Sequence, residues 1–152
     1  MKQIRIKVNK IIERFLVLIL LGMVLNVIWQ VFTRFFTSSP SAFTNELARY
    51  LMIWLGILGA AYISGKQEHV AIDFFVKKLN NSLRRYIDRF VLLSTLSFAF
   101  FVMIIGGINL VYITLKLEQY SPSLQIPLAL VYSIIPISGL LIIFYKVTQE
   151  KS

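Results

Sequence analysis

Four apolar stretches leave this chain few ways to fold. They cover about residues 11–36, 43–65, 86–115 and 126–147 of the 152. Each approaches or exceeds the about 20 residues needed to cross a bilayer. The predicted fold class is therefore all-α integral membrane, with four transmembrane helices in a single membrane domain over residues 1–152. Composition agrees, at 57% hydrophobic and 15% charged, where a soluble domain is nearer half apolar and a quarter charged.

The first stretch follows a basic segment, Met1 to Lys10, as a signal-peptide core would. It is much longer than such a core, and no small-residue cleavage site follows, so it reads as a retained first span. The net charge of +9 would suggest nucleic acid on a soluble protein. Membrane topology explains it more simply. Lys2, Arg5, Lys7, Lys10 and Arg14 precede the first span; Lys66, Lys77, Lys78, Arg84, Arg85 and Arg89 surround the middle connection; Lys146 and Lys151 close the chain. The other two connections have only Arg34, Arg49 and Lys116 at their edges. The positive-inside rule then predicts both termini and the middle connection in the cytoplasm, N-in/C-in. No nucleic-acid partner is expected.

The first connection, Thr37 to Ser41, is a short polar turn in which Ser39 and Pro40 suit a helix start. The third, Glu118 to Ser123, is also short and contains no Lys or Arg. The middle connection is longer and holds an amphipathic arm at about residues 69–80. Ala71, Ile72, Phe75, Val76 and Leu79 fall on one side of a helix, and Asp73, Lys77 and Asn80 on the other. About three turns are expected to lie in the cytoplasmic-side interface between the second and third spans, apolar side down. The arm reads either as a surface-lying linker or as an element that packs against a partner subunit.

The second span carries Glu46 and Arg49, three residues apart, near its outer end. Ionisable groups beside lipid are costly. Two readings are open: the two groups pair with each other, with the helix dipole favouring Glu46, or they pair with groups of another subunit. Tyr50 and Trp54 lie on or near the same side. Further along, Gly56, Gly59, Ala60, Ala61, Ser64 and Gly65 form a small-residue surface on which another helix can approach closely, from this chain or another.

Asn26 and Gln30 in the first span need hydrogen-bond partners; helix–helix glue and a polar substrate path are both open. Gly106, Gly107 and Asn109 are expected to act similarly in the third. Pro136 removes a backbone donor and is predicted to kink the fourth helix around Tyr132 and Ser133. His69 is the single histidine, and there is no cysteine. Disulfides and thiolate sites are excluded, and one imidazole is a poor zinc site. No cofactor is expected. His69, with Asp73 near, is expected to brace the junction between the second helix and the arm.

Taken together, Glu46, Arg49, Trp54, Gly59, Ala60 and His69, the basic arm and the four spans resemble the small membrane subunit (DctQ-like) of TRAP transporters, the tripartite ATP-independent periplasmic transporters. The resemblance covers essentially the whole chain. It implies a partner, a large multi-span membrane subunit (DctM-like), that carries the substrate and sodium sites and moves as an elevator. It also implies a periplasmic substrate-binding protein that delivers an organic acid, of the C4-dicarboxylate or sialic acid class. The small subunit would be a non-catalytic scaffold in a bacterial inner membrane, with Glu46, Arg49, Tyr50, Trp54, Gly56, Gly59 and Ala60 at the partner-subunit interface. His69, Asp73, Phe75 and Lys77 would order the arm. The chain ends after the fourth span, so the large subunit is expected to be separate.

Two other classes fit these residues less well. A self-sufficient homodimeric four-helix carrier would use a membrane-embedded carboxylate in its first span; here only Glu13 is present, at the cytoplasmic edge. A membrane-embedded enzyme would need a polar cluster of His, Cys or carboxylates, and none is visible.

Overall fold

The computed structural model describes residues 2–37, 42–66 and 81–150. The predicted arm, with His69, Asp73, Phe75 and Lys77, lies outside them, as does the Ser39–Pro40 turn. In hydrocarbon every backbone N–H and C=O must be paired within the chain, which leaves an apolar segment little choice but the helix. Helix α1 spans Lys2–Thr37 and α2 spans Ala42–Lys66. The third span is built from α3 (Asn81–Ser97), a π-helix (Phe98–Gly106) and α4 (Gly107–Lys116). The fourth is built from α5 (Leu128–Tyr132) and α6 (Ile134–Glu150). Four helical segments are long and apolar enough to cross a membrane, and among the described residues no strand forms beyond an isolated bridge between Tyr120 and Pro127.

One boundary and one internal feature differ from expectation. The basic segment continues α1 as helix from Lys2, because Lys, Arg and Gln are good helix formers and no Gly or Pro interrupts them. At 36 residues, α1 is roughly 54 Å long. The π-helix in the third span has no signature we find in the sequence. The predicted kink in the fourth span is a break at Ser133, between α5 and α6. Pro136 has no N–H to offer Tyr132 four residues back, and its ring crowds that carbonyl.

The fourth span is the hub. Of its most apolar window 39% is buried, against 11–17% in the other three spans. One core cluster joins Ile12 of α1, Leu58 of α2, and Ile134 and Tyr145 of α6; a second joins Ala61 of α2, Ala99 of the π-helix and Ile142 of α6. Three glycines set the approach distances. A methyl at Gly65 would lie 2.8 Å from the Tyr145 ring, one at Gly107 2.9 Å from Pro136 Cδ, and one at Gly139 2.9 Å from Met103 Cβ. The glue expected of Gly106, Gly107 and Asn109 thus resides in Gly107, while Gly106 and Asn109 are exposed. Large apolar side chains line the outside, among them Leu18, Leu21, Phe35 and Phe90, as suits a bundle whose solvent is lipid.

Candidate functional site

α2 organises both ends of the bundle and keeps one side open. At its first end, Asn26 of α1 donates from Nδ2 to the Thr44 carbonyl at 2.8 Å, and Gln30 Nε2 donates to Asn45 Oδ1 at 3.0 Å. These are the interhelical bonds that an amide in a membrane helix requires, and they favour the glue reading of Asn26 and Gln30.

The next residue on α2, Glu46, holds the connection between the third and fourth spans. Its carboxylate accepts from the Ser121 hydroxyl, from the Ser123 N–H at 3.0 Å and from the Leu124 N–H at 3.3 Å. Ser121 Oγ accepts a further bond from the Leu124 N–H at 3.3 Å. Pro122 is suited to the second position of this turn, where its fixed φ is already correct. The turn sits inside a tighter frame, with Ser121 N–H on the Ile126 carbonyl and Leu128 N–H on the Gln119 carbonyl, both at 2.9 Å. Glu118 and Gln125 have positive φ, 47° and 52°, a conformation that non-glycine residues keep only when neighbours over-determine it. Ionised acceptors make the stronger hydrogen bonds, so one carboxylate can hold the whole turn. Glu46 therefore satisfies its charge within the chain, through residues about 75 positions away that no spacing rule connects to it.

Arg49 shares the helix and adds a longer-range attraction to Glu46. It is exposed, and among the described residues it makes no hydrogen bond. Tyr50 is half-buried. Trp54 turns inward: its indole N–H donates to the Val131 carbonyl at 3.0 Å, one residue before α5 ends, and its ring lies 6.1 Å from that of Phe15. Trp54 thus ties α2 to the broken fourth span.

The small-residue surface of α2 divides in two. Ala61, Ser64 and Gly65 are buried against this chain's own helices. Gly56 and Ala60 are exposed, and a methyl at Gly56 or Gly59 would meet nothing within 4 Å. With Asn45, Arg49, Met52 and Ile63, also exposed or open, they form one outward side at three- and four-residue spacing.

At the other end, Tyr145 is fully buried, and its hydroxyl donates to Asn9 Oδ1 at 2.6 Å. Its ring lies on Gly65, whose carbonyl accepts from the Arg5 guanidinium. Tyr62 donates to Glu13 at 3.4 Å, and Lys66 Nζ lies 4.7 Å from the Tyr62 ring centre. Sequence reasoning singled out neither Ser121 nor the Asn9–Tyr145 pair, since ordinary polar residues acquire these roles only through contact.

Comparison with known proteins bears on this arrangement of spans. A family model described as the DctQ component of tripartite ATP-independent periplasmic transporters matches residues 23–149. The chain belongs to the DctQ family. It is 28% identical over 145 residues to a protein of Haemophilus influenzae named as a TRAP transporter small permease, covering 93% of this chain and 86% of that one. It is 35% identical over 102 residues to the C4-dicarboxylate TRAP transporter small permease protein DctQ of Rhodobacter capsulatus, covering 66% of this chain and 44% of the relative. A 62-residue stretch, 41% of this chain, is 36% identical to the sialic acid TRAP transporter permease protein SiaT of Haemophilus influenzae, of which it covers 10%. This DctQ-family chain is thus a TRAP small permease subunit by family and a multi-pass membrane protein. The residues matched take in Glu46, the open side of α2 and the Ser121–Leu124 turn.

Proposed function

We propose that this chain is the small, non-catalytic scaffold subunit of a sodium-driven importer in a bacterial inner membrane. Its cargo would be an organic acid of the C4-dicarboxylate or sialic acid class, handed over by a periplasmic binding protein. The substrate and sodium sites would lie in a large multi-span permease. Both termini would be cytoplasmic, which would put the Glu46-held turn on the periplasmic side, in keeping with the charge distribution.

The observation that carries the reading is the open side of α2. Gly65, Gly107 and Gly139 are each filled by this chain's own side chains, whereas Gly56 and Gly59 are not. Small residues in a membrane helix let a second backbone approach closely, and here the approaching helix would come from the large permease. Arg49 and Asn45, exposed at the head of this side, would offer it hydrogen-bond donors. Of the interface residues expected from sequence, Arg49, Gly56, Gly59 and Ala60 keep that assignment. Glu46 and Trp54 act at one remove, by holding the turn and the fourth span in place. Tyr50 stays at the edge of the surface.

The test is co-purification from cells expressing the chain with its large permease. The wild-type chain is expected to co-purify with it and, reconstituted alone in liposomes, to transport nothing. Gly56→Leu combined with Ala60→Leu is expected to keep the helical content and lose the permease. Transport by the isolated chain, or cross-linking only into homodimers, would overturn the reading.

A further inference from the structure

The outer side of α1 has a different character from the open side of α2. Lys7, Lys10 and Arg14 follow one another at three- and four-residue spacing and are all exposed, so their side chains form one row. The same side continues as Val17, Leu18, Leu21, Leu25 and Ile28, exposed by 54–63%. The opposite side of the helix is the one that packs: Val8, Ile12 and Leu16 enter the core, Asn9 meets Tyr145, and Asn26 meets Thr44. The cation row therefore points away from the bundle.

The spacing matches the hydrocarbon thickness of a bilayer. From Phe32 back to Arg14 is roughly 27 Å, and to Lys10 roughly 33 Å, at 1.5 Å per residue. A hydrocarbon core is about 30 Å thick. The row thus begins where the apolar layer ends and headgroup phosphates lie. Lys and Arg stems can lie along the apolar strip while their charges reach that level.

Among the described residues, none of the three cations takes part in a hydrogen bond, ion pair or ring contact. Glu13, the nearest carboxylate in sequence, is bonded to Tyr62 at 3.4 Å. No described residue of this chain supplies the row with an anion. A protein helix is a poor candidate, because bulky Val17, Leu18 and Leu21 hold a second backbone off, where Gly56 and Gly59 on α2 admit one. Acyl chains fit a bulky strip without such a constraint.

We propose that Lys7, Lys10 and Arg14 form a binding site for an anionic phospholipid, whose phosphate meets the row and whose acyl chains lie along Val17 to Ile28. The site gives α1 a lipid-facing side and leaves α2 as the protein-facing one.

The experiment is native mass spectrometry of the full chain in detergent, titrated with phosphatidylglycerol, phosphatidylcholine or inorganic phosphate. The wild-type chain is expected to retain phosphatidylglycerol about tenfold or more better than phosphatidylcholine, and millimolar inorganic phosphate is expected not to displace it. Lys7→Gln, Lys10→Gln and Arg14→Gln are each expected to weaken phosphatidylglycerol about fivefold, near the value of a cation at an anionic surface, and the triple variant about a hundredfold. Lys7→Arg with Lys10→Arg retains the lipid. The control, Lys66→Gln/Arg85→Gln/Arg89→Gln, removes equal charge elsewhere and is expected to stay within about twofold of wild type. The proposal is overturned if the control loses as much as the row variant, if the wild-type chain shows no preference for the anionic lipid, or if free phosphate competes it away. It is overturned equally if the complex with the large permease excludes the lipid, since this side would then be a protein interface.

Discussion

Gly65→Ala and Gly56→Ala, the same change on the same helix, are expected to have opposite signs. A methyl at Gly65 would lie 2.8–2.9 Å from three ring carbons of Tyr145. Carbon atoms rest at about 3.5–4.0 Å, so the ring must retreat by roughly 0.7 Å or more. It has nowhere easy to go, being 0% exposed and tied through its hydroxyl to Asn9 at 2.6 Å. Overpacking of this kind costs about 1–3 kcal/mol, and losing the Tyr145–Asn9 bond adds about 1 kcal/mol. The offsetting gain from replacing glycine in a helix is at most about 1 kcal/mol. The net expectation is a destabilisation of about 1–3 kcal/mol. At Gly56 a methyl meets nothing within 4 Å, so the gain of about 0.5–1 kcal/mol stands alone. The assay is reversible unfolding of the purified chain in mild detergent, titrated with SDS and followed by circular dichroism. On a Tyr145→Leu background the cost of Gly65→Ala is expected to fall to near zero, which isolates the pair. Equal shifts in the same direction at both glycines would refute the close packing of α2 on α6.

Three further expectations follow from the same contacts. Trp54→Phe removes the indole N–H from the Val131 carbonyl and should cost about 1 kcal/mol in the same titration; a variant as stable as wild type would show that the bond carries nothing. Gly107→Ala brings a methyl to 2.9 Å from Pro136 Cδ; it should be better tolerated with Pro136→Ala, with a coupling of about 0.5–3 kcal/mol. Glu46→Ala removes the acceptor from the Ser121–Leu124 turn, so amide exchange at Ser123 and Leu124 should accelerate and Glu46→Gln should restore part of the protection. Unchanged exchange would falsify the role given to this carboxylate.

The resemblance to the DctQ component, first carried by Glu46, Arg49, Trp54 and the span layout, is matched by the family assignment over residues 23–149. What those residues do was less legible. Glu46 and Arg49 invited a reading as a pair because they sit three apart on one helix, yet Glu46 is occupied by a turn about 75 residues downstream. Trp54, expected at a subunit interface, is spent on the carbonyl of Val131. The small-residue surface of α2 was seen whole, but its division into a filled and an open part was not.

By itself the sequence determined the number of spans, the place of the break near Pro136 and the class of protein. Hydropathy, the missing N–H of proline and the need to pair every backbone group in hydrocarbon act along the chain, within one or two turns of where they are written. The tertiary structure decided which side of each helix is used. Ser121 meets Glu46, Tyr145 meets Asn9 and Gly65, and Gly56 meets nothing, because helices of nearly uniform apolarity have no preferred side until close packing at small residues chooses one.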